Sequence, residues 1–247
     1  LASLAGLAAA LASASFSANG GLLLTLSEEG VAQLWNGATG QPLPGLDPAV
    51  PMNYGSVNAA GTRLVVGSLV SRTAVLLDSG GHLIRALDLP SFAGRDLFSP
   101  AGDRLLVWRC AGTLRSNGCL KLLDGQTGAP IAILDTPGQI MSAAQFSADG
   151  QWLFTPYLSG GVGVWDRDGQ YFATLPAATN GSRLPQRVLV AANATGTRAA
   201  TAGQYASLQV LQLYPNAAAL LAEAARRVPQ PLTAQECAQY LHVDACP

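Results

Sequence analysis

Short apolar runs recur along the chain, and each follows a small polar turn that ends in glycine. Five units begin this way, at Phe16-Ser17…Gly20, Val57-Asn58…Gly61, Phe98-Ser99…Gly102, Phe146-Ser147…Gly150 and Ala192-Asn193…Gly196. Successive glycines of this set lie 41, 41, 48 and 46 residues apart. A period of this length with internal turn signals is typical of repeated four-stranded β-sheets. The pattern therefore predicts an array of similar sheets.

Each unit continues with the same succession of segments. The glycine is followed by an apolar run, a second run that ends in a fixed pair, a glycine-rich turn and a short outer segment. The fixed pairs are Trp35-Asn36, Leu77-Asp78, Leu123-Asp124 and Trp165-Asp166. The outer segments are Leu43–Leu46, Ile84–Leu87, Ile131–Leu134 and Phe172–Leu175. Glycine permits the positive φ angles of tight hairpins, so each unit is expected to form one antiparallel sheet.

These repeats resemble the WD-repeat β-propeller family. The motifs that carry the resemblance are Phe98-Ser99-Pro100-Ala101-Gly102, Phe146-Ser147-Ala148-Asp149-Gly150 and Trp165-Asp166. The resemblance implies an all-β fold, a β-propeller of about five four-stranded WD-like blades over residues 1–214, followed by two short C-terminal helices over residues 215–247. The Gly-His pair of the family is absent, and His82 and His242 lie elsewhere. We therefore expect the blades to be held together mostly by apolar packing.

The two ends of the array leave two arrangements open. Leu1–Leu4 matches an outer strand, whereas the fifth repeat stops after its third strand, at about Leu213. In one arrangement Leu1–Leu4 pairs with Ser207–Leu213 and closes a five-bladed ring, which would remove an exposed sheet edge. In the other, these residues are the C-terminal part of a longer propeller. The start in mid-repeat, without Met, favours the second.

Composition narrows the class of partner. The net charge is −1 and 12% of the residues are charged, against about 25% in typical domains. The longest run of basic residues is Arg226-Arg227, so nucleic acid is not an expected partner.

The first 27 residues carry no charged side chain, but Ala, Ser, Gly and Asn interrupt the apolar residues, so no membrane segment is predicted. A cytoplasmic location is expected.

Four cysteines form two pairs along the sequence, Cys110/Cys119 and Cys237/Cys246. Neither pair has the spacing of a zinc site, and the sequence leaves open whether the cysteines are thiols or disulfides.

The C-terminal segment has helical signals. Pro215-Asn216 can cap a helix that runs to about Val228, and Thr233–Glu236 forms a capping box for a second. This ending resembles bacterial WD-repeat regions attached to STAND-type ATPases, proteases or kinases. The resemblance implies a regulatory role and an upstream effector domain of the same polypeptide as a partner.

The residues favour binding over catalysis. A nucleophilic triad needs histidine beside a nucleophile and a carboxylate, and no such set is indicated, nor is a cofactor or metal site. The leading hypothesis is a non-catalytic scaffold or sensor module that binds protein, peptide or another ligand. If the turns between second and third strands share one face, as in the family, the candidate contacts are Glu28, Arg72, Arg115, Tyr157 and Tyr205. The alternative is a propeller hydrolase or lactonase with a metal in the central channel, although the inner segments Ala12–Ser15, Ser142–Gln145 and Val188–Ala191 contain no acid or histidine.

Overall fold

The structure, a computed structural model, is an all-β protein built from five small antiparallel sheets. It describes residues 10–44, 46, 51–68, 70–71, 73–88, 97–108, 120–134, 144–157, 161–176, 188–203, 208–214 and 217–227. Sheet 1 contains β1 (Leu11–Phe16), β2 (Leu22–Ser27) and β3 (Ala32–Asn36). Sheet 2 contains β4 (Tyr54–Val57), β5 (Arg63–Ser68), β6 (Thr73–Asp78) and β7 (Leu83–Asp88). Sheet 3 contains β8 (Leu97–Phe98), β9 (Arg104–Trp108), β10 (Leu120–Asp124) and β11 (Pro130–Leu134).

Sheets 4 and 5 continue the array. Sheet 4 contains β12 (Gln145–Phe146), β13 (Trp152–Pro156), β14 (Gly161–Asp166) and β15 (Tyr171–Pro176). Sheet 5 contains β16 (Val188–Ala192), β17 (Arg198–Gly203) and β18 (Leu208–Gln212). The prediction of five repeated antiparallel sheets is confirmed.

The glycine motif forms the same tight turn in every sheet. In sheet 1 the Ser17 amide donates to the Leu22 carbonyl at 2.9 Å, and Gly20 has a φ of 69°. The same amide-to-carbonyl bond joins the first and second strands of the other four sheets. A positive φ disfavours any residue with a Cβ, which explains why glycine ends each motif. The recurring motif is therefore a backbone requirement of the hairpin.

Three apolar cores hold neighbouring sheets together. Between sheets 1 and 2 the core includes Leu24, Leu34, Leu64 and Leu77. Between sheets 2 and 3 it includes Val65, Leu76, Phe98 and Leu105, and between sheets 3 and 4 it includes Leu106, Leu122, Leu153 and Trp165. Successive residues of one strand thus enter different cores, because side chains alternate between the faces of a strand. Both faces of an inner sheet are buried, which accounts for the apolar runs and the low charge.

Arginine side chains add a second link between sheets. Arg63 Nε in sheet 2 donates to the Gln126 carbonyl in a turn of sheet 3, at 2.9 Å. Arg104 in sheet 3 repeats the contact with the Arg167 carbonyl of sheet 4, at 3.0 Å, and also reaches Asp168 at 2.7 Å. The planar guanidinium with several donors suits this role. Neighbouring sheets are therefore fixed by directional bonds as well as by packing.

Sheets 1 and 4 also contain a buried hydrogen bond that the sequence did not lead us to expect. Trp35 Nε1 donates to Thr25 Oγ1 at 2.8 Å, and Trp165 Nε1 donates to Thr155 Oγ1 at 2.9 Å. Sheets 2 and 3 have leucine where these tryptophans stand. Apolar packing predominates, as expected, but two sheets carry this polar link.

The outer segment of the first repeat differs from the other three. Sheet 1 has three strands among the described residues, and Gly45 of the predicted outer strand Leu43–Leu46 lies outside them. The segment still lies beside β3, since Pro42 forms an isolated bridge with Trp35 and the Leu43 amide donates to the Leu34 carbonyl at 2.9 Å. The other three outer strands are present as β7, β11 and β15.

Several expectations lie outside the described residues. They are the pairing of Leu1–Leu4, the second C-terminal helix and the state of the four cysteines. The chain divides into a compact unit of residues 1–211 and a second unit of residues 212–247. In the second unit, α1 (Ala217–Arg227) carries Glu223, which accepts hydrogen bonds from Arg226 and Arg227. Among the described residues, no helix has the length and apolar character needed to cross a bilayer.

Candidate functional site

A groove is lined by the turn that joins β2 to β3, by Ser68 at the end of β5, and by Val70 and Ser71 beyond it. Its volume is about 340 Å³. Glu28 and Glu29 form its acidic wall, and Val70 and Met52 are apolar residues of its lining. We call this cavity the turn groove.

Backbone hydrogen bonds fix the acidic wall. The Ser27 amide donates to the Val31 carbonyl at 3.0 Å, and Ser27 Oγ accepts the Val31 amide at 3.0 Å. Gly30 has a φ of 86°, and its carbonyl accepts the Met52 amide at 2.8 Å. A Cβ at Gly30 would lie 2.5 Å from Pro51 Cβ, so only glycine allows this approach. The turn is therefore anchored to Met52 of the groove lining.

The groove combines negative charge with apolar surface. Glu28 and Glu29 are exposed, and their carboxylates make no hydrogen bond or ion pair with the described residues. Val70 is 87% exposed, whereas Met52 is 5% exposed. Unpaired carboxylates beside an uncovered aliphatic side chain can attract a cation that also carries an apolar part.

The structure places two of the five predicted contact residues. Glu28 lines the turn groove. Tyr157 is only 2% exposed, which corrects the expectation that its side chain is a surface contact. Arg72, Arg115 and Tyr205 lie outside the described residues.

The burial of Tyr157 has a local cause. Gly163, in the neighbouring strand, leaves the space that the Tyr157 hydroxyl occupies. Burial raises the pKa of Tyr157, and a nearby Thr155 hydroxyl acts in the opposite direction. Sheet 2 repeats the arrangement, since Tyr54 occupies the space that Gly67 leaves. Tyrosine at the end of a strand therefore covers a glycine here instead of reaching solvent.

A larger cavity of about 870 Å³ lies along the inner strands. It is lined by residues of β1 and β4, mostly Ala, Ser and Gly, with Tyr54 and residues 98–100. No acid or histidine is among its described lining residues. In the part of the chain that the structure describes, no three His, Cys, Asp or Glu side chains are grouped as a metal site requires. The metal-dependent enzyme stays an untested alternative.

Sequence reasoning missed most of the turn groove. Glu29 is adjacent to the predicted Glu28 and could have been found with it. Met52 and Val70 belong to irregular segments between strands, where no periodic signal predicts their position. Only the packing of sheet 1 beside sheet 2 brings them next to the two glutamates.

The comparisons with known proteins support the fold alone. No family model matches the chain, and no curated protein matches it. Among solved structures, it is similar to the crystal structure of the computationally designed Ika8 protein, a propeller-like protein, with a TM-score of 0.57 and 17% sequence identity. The match covers 78% of this chain and 56% of that chain. The chain thus spans little more than half the length of that designed protein, and the likeness agrees with an array of repeated small sheets.

Proposed function

We propose that this protein is a non-catalytic scaffold or sensor module, and that it binds a protein or peptide partner in the turn groove. The observation that carries the proposal is the turn groove itself, in which two carboxylates that bond to none of the described residues line the same cavity as an exposed valine. An aliphatic side chain that is almost fully solvated gains free energy when a partner covers it. The turn groove therefore combines carboxylates that attract a positively charged group with an apolar surface that a partner can cover.

The fixed position of the acidic wall supports this role. The Gly30 carbonyl accepts the Met52 amide at 2.8 Å, and Met52 lies in the core that sheets 1 and 2 share. A surface held in its binding conformation loses little conformational entropy when a partner docks. The repeated sheets thus hold in position the irregular turns that carry the residues of the turn groove.

The wider role is proposed from the sequence. The resemblance of the C-terminal segment to bacterial WD-repeat regions favours a regulatory part of a larger signalling protein. In that setting the partner includes an effector domain of the same polypeptide. WD-repeat propeller membership and the two-helix tail belong to this proposal as well.

Co-purification with matched surface variants tests the function. Val70→Lys places a positive charge in the turn groove, whereas Ile133→Lys makes the same change on outer strand β11, at a residue that is 60% exposed. We expect that a partner is recovered in constant ratio to the wild-type protein, that its recovery falls at least about tenfold with Val70→Lys, and that it is unchanged with Ile133→Lys. Equal recovery by both variants would show that the turn groove is not the binding surface.

A further inference from the structure

We propose that the turn groove recognises one lysine or arginine side chain in an extended segment of a partner protein. The aliphatic stem lies along Val70 and Met52, and the cationic head meets Glu28 and Glu29. This inference rests on the proposed function and specifies the chemistry of the partner. Lysine and arginine are the side chains that join a long apolar stem to a permanent positive charge.

The charge of the groove is available because the two glutamates bond to none of the residues that the structure describes. Other carboxylates have structural tasks: Asp78, Asp124 and Asp166 each accept backbone amides of their own turns. Asp103 and Asp168 bond to the arginines that join sheets 3 and 4. Glu28 and Glu29 have no such partner among the described residues. Their charge is therefore directed to solvent or to a ligand.

The apolar contact must contribute to affinity together with the charge. An exposed ion pair strengthens binding by only about 1.5- to 5-fold, because water and salt screen it. Two carboxylates alone would therefore discriminate weakly between basic ligands. Val70 and Met52 add the surface along which a stem of several methylene groups can be covered, and a short cation cannot use that surface.

The size of the groove limits the occupant. A volume of about 340 Å³ lies near the lower end of the ~300–1,000 Å³ range of small-ligand pockets. It admits one long side chain with the adjacent peptide groups. A folded element, such as a helix with several anchoring residues, would need a longer groove. An extended segment with one basic anchor is the occupant that agrees with both charge and volume.

The first experiment selects peptides from a random nonapeptide library displayed on phage, using the full 247-residue chain as bait. Three baits are compared: wild type, Glu28→Gln/Glu29→Gln, and Val70→Lys, which replaces the apolar lining by a side chain that repels a basic anchor. We expect wild type to enrich peptides with one Lys or Arg next to apolar residues, and both variants to lose that enrichment. Because the substituted side chains are exposed, thermal midpoints are expected to be equal for all three baits.

The second experiment separates stem from charge. A selected peptide is synthesised with Lys, norleucine or Ala at the anchor, and its Kd is measured by fluorescence anisotropy. Norleucine keeps the stem and removes the charge. We expect Lys→norleucine to weaken binding ~3- to 10-fold for wild type and not at all for Glu28→Gln/Glu29→Gln. Norleucine→Ala should weaken binding further in both.

The outcomes distinguish the inference from the function on which it rests. Enrichment of peptides without a basic residue that Val70→Lys still abolishes would overturn the basic anchor and leave the binding module standing. Equal loss on Lys→norleucine in both proteins would also overturn the anchor. If wild type enriches nothing beyond Val70→Lys, both the anchor and peptide binding in this groove are wrong.

Discussion

Thr155→Val tests how the buried tryptophan of sheet 4 is accommodated. Thr155 Oγ1 accepts the indole N–H of Trp165 at 2.9 Å, and both residues are buried. Valine has nearly the shape of threonine but cannot accept this hydrogen bond. The indole N–H would then be buried without a partner. An orphaned buried donor costs about 1–3 kcal/mol.

The repeats provide a matched second variant. At the two positions that Trp165 and Thr155 occupy in sheet 4, sheet 3 has Leu123 and Val107. A leucine has no N–H, so valine beside it leaves nothing unsatisfied. Trp165→Leu alone should cost about 2–4 kcal/mol, because it removes ring volume and the edge contact with Tyr171 at 5.1 Å. Adding Thr155→Val to that background should then cost less than about 0.5 kcal/mol.

The assay is urea unfolding of wild type, both single variants and the double variant, followed by far-UV circular dichroism because Trp165 itself is removed in two of them. The cycle should give a coupling energy of about 1 kcal/mol or more, in the range found for residues in contact. For Thr155→Val alone we expect a Tm lower by about 2–8 °C. A cost of Thr155→Val that is the same in both backgrounds would refute the reasoning.

Three further changes probe other parts of the molecule. Gly163→Ala puts a methyl group where the Tyr157 hydroxyl lies, so we expect a loss of about 1–3 kcal/mol in urea unfolding. Val210→Thr, at a residue 63% exposed, should cost less than about 0.5 kcal/mol, whereas Val162→Thr at the equivalent buried position of sheet 4 should cost more than 1 kcal/mol; equal costs would contradict the exposure of β18. Two arginines lower the pKa of Glu223 from 4.5 to about 2, so its stabilisation of α1 is complete above pH 4.5 and is lost as the pH falls towards 2. Protection factors of the α1 amides, which are exchange rates relative to the intrinsic rate at the same pH, should fall over this interval; protection factors that stay constant would refute the effect.

The five antiparallel sheets could be predicted from the sequence because their sequence pattern repeats. Gly20, Gly61, Gly102, Gly150 and Gly196 all have positive φ, so one backbone requirement leaves the same residue at each position. Burial on both faces of the sheets likewise leaves apolar runs that can be recognised without a structure. The difference at Leu43–Leu46 is local, because the Leu43 amide still donates to the Leu34 carbonyl of β3 at 2.9 Å although no fourth strand is present among the described residues.

The candidate site could be predicted only in part. Glu28 was found because turns between second and third strands were assumed to share a face. Tyr157 was assigned by the same rule and proved buried, since the space above Gly163 depends on the neighbouring strand and not on Tyr157 itself. A position relative to the repeat thus predicts where a Cα lies more reliably than where a side chain points.

Strand residues could be predicted better than turn residues because the packing of the core restricts the strands more than the turns. Strand positions such as Leu24 and Leu64 are held in a shared core, so a change there costs stability and their pattern recurs from repeat to repeat. The turn that carries Glu28 and Glu29 needs only Ser27 and Gly30 for its hydrogen bonds and its φ angle. The two glutamates between them carry no such requirement, and their carboxylates bond to none of the described residues. Side chains that the fold does not need are free to be selected for binding a partner. For this reason we propose that the turn groove is the binding site of this array.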